Sequence, residues 1–189
     1  MAAHLRACPD LCPTILDEVH MNQSGLTAIT TSSASALAGL DPAPRIAIVS
    51  ACWHRDIVGQ ACLAAKERLR SRGVAPGAID EFELPGAFEI PLQAQSLARS
   101  GRYDAILACA LVVDGGIYRH DFVATAVIDG LMRVQLDSGV PVFSAVLTPH
   151  HFHEHEEHRR YFSAHFLTKG QELADACLQT LAVRRQLLA

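Results

Sequence analysis

The chain has 189 residues, half of them hydrophobic, and a formal net charge of −4, so one domain with a sizeable core is the starting expectation. A mildly acidic chain without a basic stripe argues against a nucleic-acid surface. The longest apolar run, residues 105–113, is strand-length and too short to span a bilayer, and residues 1–10 mix His, Arg, Cys and Pro rather than forming a secretory apolar segment.

Residues 1–44 differ in character from the rest. The stretch TAITTSSASALAGLDPAP is rich in Ser, Thr and Ala, ends in two prolines, and carries neither the period of a helix nor that of a strand. It reads as a flexible leader, 1–44, ahead of a single domain, 45–189. Met21 is a candidate alternative start of translation.

From Arg45 the pattern turns regular. RIAIVSA is an apolar run of strand length. Residues 57–72 place Val58, Cys62, Ala65 and Leu69 at helical spacing, with Gly73 as a stop. Residues 78–84 alternate as a strand does. Pro91 opens a short helix, 91–99, in a first-turn position where its missing N–H costs nothing. DAILACALVV, 104–113, reads as a fully buried strand. The span 119–138 reads as a helix with Val123, Val127, Gly130 and Val134 on one face, ahead of Gly139. VPVFSAVL is the fourth strand, and 169–188 is a closing helix with Leu173, Ala176, Cys177 and Leu181 inward.

Four strands alternating with helices, most of the strands continuous apolar runs, predict a parallel sheet covered on both faces, an α/β/α sandwich. Ligands of such sheets bind at the carboxyl ends of the strands, which directs attention to residues 52–56, 84–89, 112–120 and 144–150.

At the first end stands Trp53, the sole tryptophan. It is either a half-buried core ring or a stacking surface for a flat heterocycle. At the second, LPGAFEIP confines Ala87, Phe88 and Glu89 between a strand end and a helix start. This is either an ordinary turn or one whose backbone N–H and C=O groups read a planar ligand. At the third, Gly115 and Gly116 precede a helix start that favours anions. The segment is neither a Walker sequence nor GxGxxG. Arg119 and His120 sit where cations oppose the helix dipole, which hints at use. The fourth end carries five histidines between His150 and His158. His151, His155 and His158 share a helical face that could chelate zinc, but no Asp or Cys partner is fixed by spacing, so the segment reads as a solvated cap. Of six cysteines, Cys52, Cys62, Cys109 and Cys177 lie in apolar patterns, and Cys8 and Cys12 in the leader. Packed thiols make a reducing cytoplasm the simplest compartment.

Together, Trp53 after the first strand, LPGAFEIP after the second, ALVVDGGIYRHDFVATAVIDG and VPVFSAVLT resemble lumazine synthase (6,7-dimethyl-8-ribityllumazine synthase) from about Arg45 onward. The GGIYRHDFV and TPHHFHEH versions resemble the second type of this enzyme, found in some alpha-proteobacteria. The resemblance implies a flavodoxin-like three-layer sandwich on a four-stranded parallel sheet. It implies a homo-oligomer built from pentamers, a decamer in the second type, with sites shared between neighbouring subunits. The reaction implied is the penultimate step of riboflavin biosynthesis: 5-amino-6-(D-ribitylamino)uracil condenses with 3,4-dihydroxy-2-butanone 4-phosphate through an imine, loss of phosphate and ring closure, with no cofactor or metal.

By the same resemblance, Trp53 stacks on the pyrimidine and Ala87, Phe88 and Glu89 bind it and its ribityl chain. Leu111, Val112 and Val113 supply backbone contacts. Ser144 touches the heterocycle from the adjacent subunit, at a position where many members carry Phe. The sequence departs from the family where a histidine carries the proton: that slot holds Arg119, with His120 next. Arginine is a poor base but a good phosphate ligand, so His120 is the expected proton carrier and Arg119 the expected phosphate ligand; the ungapped alignment alone favours Arg119. The usual phosphate arginine is replaced by Tyr161, after Arg159 and Arg160. The competing expectation is a flavin- or lumazine-binding shell with little turnover.

Overall fold

The computed structural model describes residues 42–114, 119–150, 152–153 and 155–188. Most of the leader, Cys8 and Cys12 within it, the glycine pair 115–116 and His151 therefore lie outside the described residues. Strands β1 (Ile46–Ala51), β2 (Ile79–Leu84), β3 (Ala105–Leu111) and β4 (Val142–Leu147) alternate with helices α1 (Arg55–Ser71), α2 (Ile90–Arg99), α3 (His120–Ser138) and α4 (Glu156–Leu188). The sheet order is β2-β1-β3-β4 and every pairing is parallel. This is the flavodoxin-like three-layer sandwich expected.

The alternation of side chains along each strand divides the core in two. Ile46, Ile48, Leu107 and Cys109 point to the layer of α1 and α4. Ala47, Val49, Ile106 and Ala108 point to the layer of α2 and α3. Strand β3 is central and feeds both layers, which is why all seven of its residues are buried and why it shows no polar alternation. Edge strand β2 keeps the alternation, with Glu81 and Glu83 outward; they pair with Lys66 and Arg55 of α1.

The helix stops are local chemistry. Gly139 ends α3 at φ 71°, with its N–H donating to Gln135 O, a left-handed cap that side chains resist. Helix α4 lies along α1, where Arg68 and Arg72 both reach Asp175. The domain's first turn is also held: Pro44 is buried, and Arg185 donates to Pro42 O at 2.6 Å.

Three expectations on helix faces change. Helix α4 begins at Glu156 rather than Lys169, because Phe162, Phe166 and Gly170 continue its inner stripe at spacing four, with Phe166 fully buried. Val123 is partly exposed and Ala124 turns inward instead; likewise Ala176 is exposed while Ala174 and Cys177 are buried. In both helices the shift is one or two positions, set by where the sheet lies.

Candidate active site at the carboxyl edge of the sheet

The parallel sheet brings the ends of its strands to one edge. After β1 the chain reverses sharply. Cys52 still belongs to the ladder, its N–H donating to Leu84 O at 2.8 Å and its thiol to Pro85 O at 3.1 Å. Trp53 then leaves the sheet and stands 70% exposed. Its indole is not a core ring, which removes one of the two readings open to it. His54 takes φ 53° and ψ 42°, and it is the one non-glycine residue with positive φ among the described residues. That conformation costs an L-residue roughly 1–2 kcal/mol, and such costs collect at functional sites. Its carbonyl accepts from Ile57 N and Val58 N, both at 2.9 Å, starting α1 at once.

After β2, Gly86 is buried and extended, and Ala87–Glu89 form one 3₁₀ turn running into α2. Pro91 occupies the first turn of α2 as expected. A Cβ on Gly86 would lie 3.1 Å from Glu89 Oε2, so the carboxylate folds back over the glycine at the sheet rim. Ala87 is buried under the turn while Phe88 is 67% exposed. The bonds from Cys52 to Leu84 and Pro85 join this turn to the Trp53 turn.

After β3, Leu111 and Val112 are buried and Val113 is partly exposed. Val112 N–H is spent on Leu147 O at 2.9 Å, so only its carbonyl is free of that ladder bond. At the start of α3 the side chains of Arg119 and His120 separate. Arg119 has a side chain 69% exposed that donates to Asp121 at 2.7 Å and lies over the Phe122 ring at 4.2 Å. Asp121 holds the guanidinium's proton more firmly than usual, and the guanidinium pulls the Asp121 carboxyl below the ordinary range. The His120 side chain is 21% exposed, with Nδ1 3.9 Å from Asp114 Oδ1.

Ser144 stands apart from this rim. It sits within edge strand β4 at the register level of Val49, through Ala108, and is exposed. Its hydroxyl accepts from Val146 N at 3.2 Å. In the segment after β4, Phe152 is buried and meets His54 edge-on at 5.2 Å and Phe162 at 5.4 Å. Arg159 is tied to Asp56 at 2.5 Å, and Tyr161 stacks on His165 at 6.0 Å. Among the described residues no three His, Cys, Asp or Glu side chains are placed to hold a metal ion, and no helix is long and apolar enough to cross a membrane.

Thus Trp53, Ala87–Glu89, Leu111–Val113 and His120 come from strand ends or helix starts at one edge of the sheet, Arg119 points outward beside them, and Ser144 lies elsewhere on the chain. Sequence reasoning missed His54, Asp114 and Phe152. The signal for Phe152 was an isolated aromatic inside a polar run; the backbone of His54 left none.

Comparison with known proteins places this architecture. The family model for 6,7-dimethyl-8-ribityllumazine synthase matches residues 43–185. A Rhodococcus erythropolis protein named 6,7-dimethyl-8-ribityllumazine synthase is 64% identical over 132 residues, 70% of this chain and 85% of its own length. One from Pseudomonas syringae pv. tomato, named 6,7-dimethyl-8-ribityllumazine synthase 2, is 52% identical over 161 residues, 85% of this chain and 92% of its own. A Bradyrhizobium diazoefficiens protein with the same "2" name is 57% identical over 137 residues, 72% and 82%; the two numbered names agree with the second-type segments of the sequence. With the fold, the strand-end motifs and these matches in agreement, the chain belongs to the 6,7-dimethyl-8-ribityllumazine synthase family.

Proposed function

We propose that this chain is a transferase that condenses 5-amino-6-(D-ribitylamino)uracil with 3,4-dihydroxy-2-butanone 4-phosphate to 6,7-dimethyl-8-ribityllumazine, the penultimate step of riboflavin biosynthesis. The observation that carries the reading is the exposed indole of Trp53 beside the backbone turn of Ala87–Glu89, joined to it through Cys52. A flat heterocycle stacks on the first and is read along its polar edges by the second.

The remaining roles follow from placement. His120 carries the proton: its half-buried imidazole has Nδ1 turned toward Asp114, which leaves Nε2 for substrate, and imidazole is the side chain suited to proton exchange near neutrality. Arg119 holds the phosphate, exchanging Asp121 for another oxyanion. The carbonyl side of Leu111–Val113 borders the pyrimidine. The amine attacks the ketone carbonyl, water leaves to give the imine, phosphate departs, and ring closure releases the second water. Juxtaposition of two reactants supplies up to about 7–11 kcal/mol in the best cases, and one proton carrier about two to four powers of ten. None of these steps calls for a metal or cofactor.

We place a second copy of the chain against the site, in a pentamer-based assembly and as a decamer. Leu92, Met132 and Leu136 of α2 and α3 are exposed apolar side chains that a neighbouring copy would cover. Ser144, remote from its own chain's rim, would then reach the heterocycle of a neighbour. Cys62, Cys109 and Cys177 packed as thiols suit a reducing compartment, and we assign the cytoplasm. Residues 1–44 form, in this reading, a leader ahead of the catalytic domain, 45–189.

Mixing the two substrates with the protein and following lumazine formation tests the function. Steady product formation is expected. Bound yellow ligand with negligible turnover would instead favour the binding-only shell, a reading that the synthase names of relatives 52–64% identical do not favour.

A further inference from the structure

We propose that His54 is a positioning residue for Trp53: its left-handed backbone, braced by contact with Phe152, sets the direction in which the indole leaves the sheet rim. This rests on the reading that Trp53 stacks on the pyrimidine. The indole is 70% exposed and has no aromatic partner among the described residues, so the direction of its Cα–Cβ bond, which the backbone fixes, weighs most in aiming it. On one side, Cys52 is fixed by its N–H to Leu84 and its thiol to Pro85. On the other, His54 is the one non-glycine residue at positive φ among the described residues, and its carbonyl is already committed to two N–H groups of α1. Trp53 is held between two anchored neighbours.

Glycine would make the same turn without strain, but it would also leave the turn free to relax. Histidine tolerates the left-handed region better than most residues and brings a ring. That ring meets buried Phe152, which in turn meets Phe162 of α4 at 5.4 Å. A contiguous aromatic path therefore runs from the last helix to the residue beside the indole, and couples the turn after β1 to the segment after β4.

The test uses the full-length assembled enzyme and the variants Trp53→Ala, His54→Asn, His54→Ala and His54→Val. It reads KM for the pyrimidine, kcat, and quenching of the single tryptophan's fluorescence by the pyrimidine. All three His54 variants lose the imidazole, but they differ in tolerance for positive φ: Asn accepts it, Ala less, and a β-branched residue least. The expected order is a KM raised about twofold for Asn, an intermediate rise for Ala, and about tenfold or more for Val, with a matching loss of quenching and a smaller change in kcat. The Ala variant keeps the comparison available if the Val variant does not fold. Equal losses in all three overturn the backbone role and leave only a ring contact. Wild-type KM and quenching in the Ala and Val variants overturn the proposal altogether. If Trp53→Ala leaves KM unchanged, the stacking role of Trp53 fails first and the positioning role falls with it, an outcome distinct from the other two.

Discussion

Asp114 and His120 face each other across the connection from β3 to α3, carboxylate Oδ1 3.9 Å from imidazole Nδ1. The neighbouring carboxylate, Asp121, is turned the other way onto Arg119. Arg119 and His120 thus have different partners and different exposure, which is the geometric ground for giving them different duties.

The first prediction separates those duties. His120→Ala lowers kcat by about 10²-fold or more, the usual worth of a positioned proton carrier, with little change in KM. Arg119→Ala acts chiefly on KM for the ketone phosphate. Asp114→Asn gives a smaller kcat loss that Asp114→Glu partly restores. Steady-state kinetics with each substrate varied in turn decide the matter. A large kcat loss in Arg119→Ala with none in His120→Ala would return the proton to the arginine slot.

The cysteines give a second, independent check of the core layer between the sheet and helices α1 and α4. Burial pushes the Cys177 thiol up to about 12. Contact with Cys62, then burial, raises Cys109 well above the ordinary range. Cys52 is only half-buried at the rim. Native alkylation with iodoacetamide at pH 8, followed by peptide mapping, labels Cys52 at least about tenfold faster than Cys109 or Cys177, because the thiolate is the reactive form. Saturating pyrimidine substrate slows the Cys52 reaction. Labelling of Cys177 at the rate of Cys52 in folded protein would contradict the packing of α4 on the sheet.

How far the sequence disclosed all this depends on the kind of signal. Continuous apolar runs gave β1, β3 and β4, since a sheet buried on both faces leaves no polar alternation in its centre, as β3 shows; edge strand β2 was legible from its alternation instead. Helix ends marked by Gly73, Gly139 and Pro91 were legible because each residue type has a backbone reason to stand there. The first half of α4 was not: Phe162, Phe166 and Gly170 carry its inner stripe, and the polar residues around them, His158, Arg159, Arg160 and His165, mask it. At the strand ends, Trp53 stood out as the sole tryptophan and Ala87–Glu89 as the residues enclosed by Pro85, Gly86 and Pro91. His54 was missed because its contribution is a dihedral angle, and Asp114 because its distance to His120 depends on how a connection closes.

A third prediction concerns Asp80, which links the edge of the sheet to its far side. Tyr103 OH and Arg45 Nη2 donate to Asp80 Oδ2 at 2.7 and 2.9 Å. These two bonds, the tyrosine's first, hold the Asp80 carboxyl below its ordinary range. A carboxylate depressed on folding stabilises the fold above the unfolded value, about pH 4, and that contribution is lost as pH falls through the lower folded value. Tyr103 is raised by burial and then by its bond to Asp80. Its contribution is complete below about pH 10 and lost as pH rises through the folded value. The melting-temperature gap between wild type and Asp80→Asn is therefore flat from pH 6 to 8 and narrows below about pH 4. Tyr103→Phe removes the loss above about pH 10. A gap that widens on acidification would show that the pair does not act as drawn.

The last prediction tests how closely the outer helices approach. A Cβ at Gly170 would lie 2.2 Å from the carbonyl oxygen of Ala61, with two further Ala61 backbone atoms at 2.9 Å. Backbone cannot rotate away as a side chain can, so α1 and α4 would have to part along a face that buries Phe166, Leu173 and Cys177. Gly170→Ala therefore costs about 3 kcal/mol or more, at the upper end of overpacking. At Gly130 the Cβ would meet the Pro91 ring at 2.9 Å, and a ring at the start of α2 can shift slightly, so about 1–3 kcal/mol is expected. Gly59, inside α1, has nothing within 4 Å. Gly59→Ala there removes only the conformational freedom of glycine in a helix and stabilises by about 0.5–1 kcal/mol. Denaturant unfolding of the three variants reads the order directly. A Gly170→Ala protein as stable as wild type would mean that α1 and α4 do not touch at Ala61, and the aromatic path from α4 to His54 would lose its support.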